Sequence, residues 1–153
     1  PHARLLKMLC FVSFMFQPSR TTSGGPSTVA KMLNPVQGAP ALRVVNHTHP
    51  EFGRLMAQWA EASRADALLL RGTEGEPVAD ARRTPRMEVL RDGARTEVQA
   101  PQDGPLARLP ELPPVDAGQT AAYIRAVLDG TQPIPTPIAL QVEHILHLST
   151  QTP

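Results

Sequence analysis

The 153-residue chain predicts an α/β fold, a mostly parallel sheet flanked by helices and carrying a hairpin insertion. Three observations predict it. Residues 67–70, Ala-Leu-Leu-Leu, form an unbroken apolar run that stops at Arg71-Gly72, the pattern of a strand covered on both faces. A β-rich run at 41–45 and a helical pattern from about residue 50 precede it, so strand, helix and strand follow one another as in a βαβ unit. Asp92-Gly93 separates two further segments, 87–91 and 95–99, and suits a type I′ hairpin turn.

The first 26 residues are expected to be an atypical or poorly ordered segment. An apolar run over 5–16 is interrupted by Lys7 and falls short of the roughly 20 residues that span a bilayer, so no membrane association is expected. It lacks a small-x-small cleavage site, and a chain that begins at Pro1 reads as a fragment. The single cysteine, Cys10, cannot close an internal disulfide, which places the chain in a reducing, cytoplasmic compartment. Proline, serine, threonine and glycine fill 17–26 as in a loop. Val29, Met32 and Leu33 then make a short helical stripe that Asn34-Pro35 ends, because the residue before proline avoids the α region.

Thr48-His49-Pro50-Glu51 has the form of a capping box. Phe52, Leu55, Met56 and Trp59 follow at helical spacing as the stripe expected to face the sheet, with Arg54, Gln58 and Glu61 toward water. In the hairpin, a two-residue loop pairs Val89 with Thr96 and Met87 with Val98, and sets Glu88 opposite Glu97. Five prolines and Gly104 make residues 100–115 a surface connection. Asp116-x-x-Gln119 opens a second helix with Ala117, Ala121, Ile124 and Leu128 as its buried stripe and Gly130 beyond its end. Thr136 caps the last helix with Pro137 at its first position, and Ile138, Val142, Ile145 and Leu146 are its apolar face.

Charge is unevenly spread behind a net of +1: residues 1–50 hold five basic residues and no acid, and the rest holds ten arginines and fourteen acids. Arg82, Arg83, Arg86, Arg91 and Arg95 outnumber Glu88 and Asp92 over 81–95, and Arg71 stands just before them. Such a patch suits nucleic-acid phosphates, or else forms a solvated loop that pairs with its own acids. Arginine exceeds lysine thirteen to two, which favours bidentate phosphate contacts. Glu74 and Glu76 on the glycine-spaced loop after the leucine strand are candidate ligands for Mg²⁺, whose preference is for one or two carboxylates together with phosphate oxygens. Loops that follow parallel strands leave from the same sheet edge, so His47, His49, Glu74 and Glu76 are expected on one rim if the strands are neighbours. His47 with His49, and His144 with His147, have no clear third ligand nearby for zinc. Neither a Walker loop, a dinucleotide fingerprint nor a nucleophile elbow occurs.

Leu33-Asn34-Pro35, His49-Pro50-Glu51-Phe52, the stretch Arg71-Gly72-Thr73-Glu74-Gly75-Glu76-Pro77 and Tyr123-Ile124-Arg125-Ala126-Val127-Leu128-Asp129-Gly130 resemble the C-terminal part of the YbiB-like proteins. These are relatives of anthranilate phosphoribosyltransferase in the glycosyl transferase family-three fold. The resemblance implies that residues 27–150 are an incomplete α/β domain of that fold, with a small helical domain preceding it in the full-length protein and able to form a homodimer. In the transferases the matching loop carries adjacent Asp-Glu carboxylates for Mg²⁺, whereas here the pair is split as Glu74-Gly75-Glu76, and the upstream pyrophosphate loop is absent from this chain. Both departures argue against transfer chemistry. The resemblance implies instead a DNA- or RNA-binding protein, with Lys31, Arg71, Arg82, Arg83 and Arg86 as the phosphate contacts, and Mg²⁺-dependent phosphoribosyl transfer as the alternative. Residues 10–26 depart from the pattern, through a frame error or divergence.

Overall fold

The computed structural model of the protein describes residues 30–34, 36, 39–72, 76–104 and 106–150. The expectations for residues 1–26, for Val29 and Cys10, and for Glu74 fall outside them. The element order is β1 (Arg43–His47), α1 (Pro50–Ser63), β2 (Ala67–Arg71), β3 (Met87–Arg91), β4 (Ala94–Gln99), α2 (Ala117–Leu128) and α3 (Thr136–Thr150). The four strands form one sheet in sequence order.

The sheet is mixed rather than mostly parallel. β1 pairs with β2 in parallel, in register from Arg43 opposite Ala67 to His47 opposite Arg71. β2 with β3 and β3 with β4 are antiparallel. The physical reason lies in the connections. A parallel neighbour needs a crossover of a dozen or more residues, usually a helix, which α1 supplies between β1 and β2. The described residues between β2 and β3 contain no helix and simply turn the chain back.

β2 behaves as its leucines predict. Leu69 and Ala67 pack on one face with Val45, Met56, Ala57, Ala60, Ala65 and Leu90, and Met32 and Trp59 lie against this cluster. Leu68 and Leu70 pack on the other face with Ala79, Met87, Val89, Ile145 and Leu148. Thus α1 covers one face and α3 the other, and residues 67–70 are buried throughout.

The helix α1 presents a face rotated from the expected one. Its buried residues are Gly53, Met56, Ala57 and Ala60, which have the same i, i+3, i+4, i+7 spacing as the larger side chains, while Leu55 is 50% exposed. Small residues let the helix axis approach the sheet, and Trp59 flanks the contact under the Arg43 guanidinium, 5.5 Å from the ring centroid. We therefore expect Leu55→Ala to change stability by less than about 0.5 kcal/mol and Ala57→Leu to cost about 1–3 kcal/mol by overpacking. Urea melts of the two variants check this, and the opposite ranking would restore the larger stripe. The capping box does not form: His49 is the N-cap without a side-chain hydrogen bond, and Pro50 opens the helix. In the short turn before β1, Met32 packs inward while Leu33 is exposed.

The hairpin forms as expected, with positive φ at both Asp92 and Gly93. Val89 pairs with Thr96 and Glu88 with Glu97, but an irregularity between Met87 and Glu88 moves Met87 opposite Gln99 rather than Val98. Asp116 caps α2 by accepting from the Gln119 N–H at 2.8 Å, and Gly130 takes φ +76° after its end. None of the α2 residues is fully buried, so its stripe is half-covered at Ala121, Ile124 and Leu128 and exposed at Ala117. On α3 the buried residues are Pro137, Gln141, Val142, Ile145 and Leu148 rather than Ile138 and Leu146. Among the described residues, no helix is long and apolar enough to cross a membrane.

Candidate nucleic-acid interface

The C-terminal ends of β1 and β2 lie side by side because these strands are parallel neighbours. Their last residues, His47 and Arg71, are register partners, and the Gly72 N–H donates to the His47 carbonyl at 3.1 Å. This edge opens onto a cleft of about 680 Å³. The start of α1 brings Arg54 into its wall, the loop before β3 brings Asp80, Arg83 and Arg86, and the hairpin brings Glu88 and Arg95. Five arginines therefore face two acids.

The acids do not cancel the arginines evenly. Glu88 accepts two hydrogen bonds from Arg95, from Nε at 3.0 Å and Nη2 at 2.8 Å, and this bidentate contact is the main cause of the raised pKa of Arg95. Glu97 takes Arg86 through Nε at 2.8 Å. Each of the like charges set opposite each other in the hairpin is thus paired with its own arginine. Arg91 is held away from the cleft, with Nε 3.6 Å from Asp66 and Nη2 donating to the Leu148 carbonyl. Arg71 and Arg54 have no ion pair among the described residues, and Arg83 donates Nε to the Gln102 carbonyl at 3.3 Å.

Local structure fixes the loop that carries Arg82 and Arg83. Asp80 accepts from the Arg82 N–H through its side chain at 2.9 Å and from the Arg83 N–H through its backbone at 3.2 Å, an Asx-type turn. Gln102 N donates to the Thr84 carbonyl at 3.0 Å and clips the turn to the segment after β4. Deeper in the molecule, the buried Gln141 of α3 accepts from the Ala79 N–H at 2.8 Å and donates to the Pro77 carbonyl at 2.9 Å.

His47 is a cleft residue. Its ring packs on Gly53, where an added Cβ would lie 2.8 Å from two ring atoms. Burial lowers its pKa, partly offset by its hydrogen bond to the His49 carbonyl at 3.2 Å, and the Arg71 charge lowers it further. The ring is therefore neutral near pH 7.

Of the arginines expected from the sequence, Arg71, Arg83 and Arg86 line the cleft, and Arg82 lies on its loop without lining it. Lys31 is also outside the lining. It donates to the Asn46 carbonyl at 3.4 Å, and burial lowers its pKa against the opposing pull of Glu76. Reasoning from the sequence missed Arg54, set aside as solvent-facing. The available signal was topological, since the first turn of a crossover helix sits at the same edge as the strand ends it connects.

The Mg²⁺ expectation rests on Glu74 and Glu76, of which Glu76 alone lies among the described residues. Among the described residues no three His, Cys, Asp or Glu side chains gather as a metal site. Glu76, the described member of that pair, stands in the field of the Lys31 ammonium.

No family model matches the chain. It is similar to the uncharacterized protein YbiB of Escherichia coli (strain K12), with 32% identity over 116 residues that cover 75% of this chain and 36% of YbiB. The chain thus spans about a third of the length of that relative. The likeness bears out the expected resemblance to YbiB.

Proposed function

We propose that the chain is a nucleic-acid-binding unit on a phosphoribosyltransferase-like scaffold, that it holds phosphates in the basic cleft without reading bases, and that it carries out no transfer chemistry. One observation supports this most. Arg54, Arg71 and Arg83 face a single concave surface with their charges uncommitted to acids among the described residues. A concave arginine-lined surface suits the backbone of a single strand, where contacts to phosphate give affinity without sequence preference. The proline-rich walls, with Pro50, Pro85 and Pro101, offer little aromatic area for stacking on bases.

The alternative, Mg²⁺-dependent phosphoribosyl transfer, needs a metal-binding carboxylate pair, which this sequence splits as Glu74-Gly75-Glu76. The test is fluorescence anisotropy with labelled single-stranded oligonucleotides of several sequences. Arg71→Ala combined with Arg83→Ala is expected to weaken binding about tenfold or more at low salt, and equally for each sequence. Unchanged affinity, or a loss confined to one sequence, would overturn the assignment of these arginines to phosphate.

A further inference from the structure

Arg86, just before the hairpin, and Arg95, within it, look equivalent in the sequence, but their partners hold them differently. Arg95 grips Glu88 with two hydrogen bonds, and the Glu88 side chain is only 12% exposed. Removing that arginine from its acid would strand a carboxylate in the cleft wall, so the pair stays closed. Arg86 approaches Glu97 with Nε 2.8 Å from its carboxylate, and their side chains are 55% and 43% exposed. A pair this exposed contributes little to stability and opens readily.

Resting on the proposed function, we infer that Glu97 is a built-in competitor for the ligand: it occupies Arg86, a cleft residue, and yields it when a phosphate arrives. The free protein then presents a weaker anion site than its arginine count implies. Two features support exchange at this position and not at its neighbour, and its cost is small. Arg86 already lines the cleft, so it need swing only within it. The cost of exchange is that Glu97 is left opposite Glu88, a like-charge pair that is only mildly unfavourable while Arg95 holds Glu88. Phosphate matches the guanidinium fork at least as well as a single-contact carboxylate does.

The experiment is a double-mutant cycle of Glu97→Gln and Arg86→Ala, read by anisotropy with a fluorescein-labelled oligothymidylate. Glu97→Gln is expected to tighten binding on the order of 3- to 10-fold at low salt, because Arg86 then meets phosphate without first leaving Glu97. Arg86→Ala alone should weaken binding less than about twofold, since the arginine begins occupied, and should abolish the gain when added to Glu97→Gln. Unchanged or weaker binding by Glu97→Gln overturns the inference. So does a gain that survives Arg86→Ala, because it would reflect net charge and not the pair. If the wild-type protein fails to bind the oligonucleotide, the proposed function falls, and the inference falls with it. Thermal melts of Glu97→Gln, expected to match or exceed wild type, separate binding effects from folding.

Discussion

Leu68→Ala is expected to lower the stability of the protein by about 3–4 kcal/mol, within the range for buried leucines truncated in rigid cores. Leu68 is fully buried and lies on the sheet face that α3 covers, among Leu70, Met87, Val89, Ile145 and Leu148. The site cannot collapse easily. Its floor is the centre of the sheet, hydrogen-bonded to β1 on one side and β3 on the other, and its lid is a helix whose Gln141 is fixed to the loop after β2. Truncation therefore leaves a cavity as well as removing buried surface. A urea melt with unchanged slope and a lower midpoint would carry the expected signature. A loss below about 1 kcal/mol would mean that α3 does not cover this face.

Gln141→Leu is expected to cost about 2–4 kcal/mol although it adds apolar surface to a buried position, because it leaves two backbone groups without partners. Those groups are the Ala79 N–H and the Pro77 carbonyl. The change acts on the cleft as well as on stability, since Pro77 and Ala79 anchor the loop that carries Asp80, Arg82 and Arg83. Native-state hydrogen exchange gives the direct readout. The Ala79 amide should lose protection in the variant by more than the amides of β4 do. Retained protection at Ala79 would show that Gln141 does not hold the loop.

The parts of this structure written in local residue patterns were legible. Three successive leucines ending in Arg-Gly marked β2, Asp92-Gly93 marked the hairpin turn, and Asp116 and Gly130 marked the two ends of α2. What depends on distant partners was not. The mixed character of the sheet follows from a connection that lacks a helix, while the apolar run of β2 reads the same whichever way its second neighbour points. The face of α1 was misplaced because two stripes share one spacing. The large residues outweigh Gly53, Ala57 and Ala60 in any reading by hydrophobicity, yet close approach to the sheet favours the small ones. Gln141 escaped notice because apolar periodicity gives no weight to a buried amide that serves the backbone.

The candidate site shows the same division. Its arginines were visible as a cluster, and of the rim expected from a parallel pair, His47 lines the cleft while His49 and Glu76 do not. Their availability was not visible. Whether an arginine is free depends on cross-strand register, which places Glu88 beside Arg95 and Glu97 beside Arg86. Arg91, counted with the cluster, instead ties β3 to Asp66 and to the end of α3. The alternative of a loop that pairs with its own acids thus holds for part of the patch, and phosphate binding is proposed for the remainder.

The central claim is that an arginine cleft holds nucleic-acid phosphates. The most direct measurement is the affinity of the wild-type protein for single-stranded DNA as salt is raised. With Arg54, Arg71 and Arg83 as contacts, and Arg86 joining them as Glu97 yields it, log affinity should fall against log salt with a slope of about −2 to −3, alike for unrelated sequences. An affinity that stays flat from low to physiological salt would contradict the account.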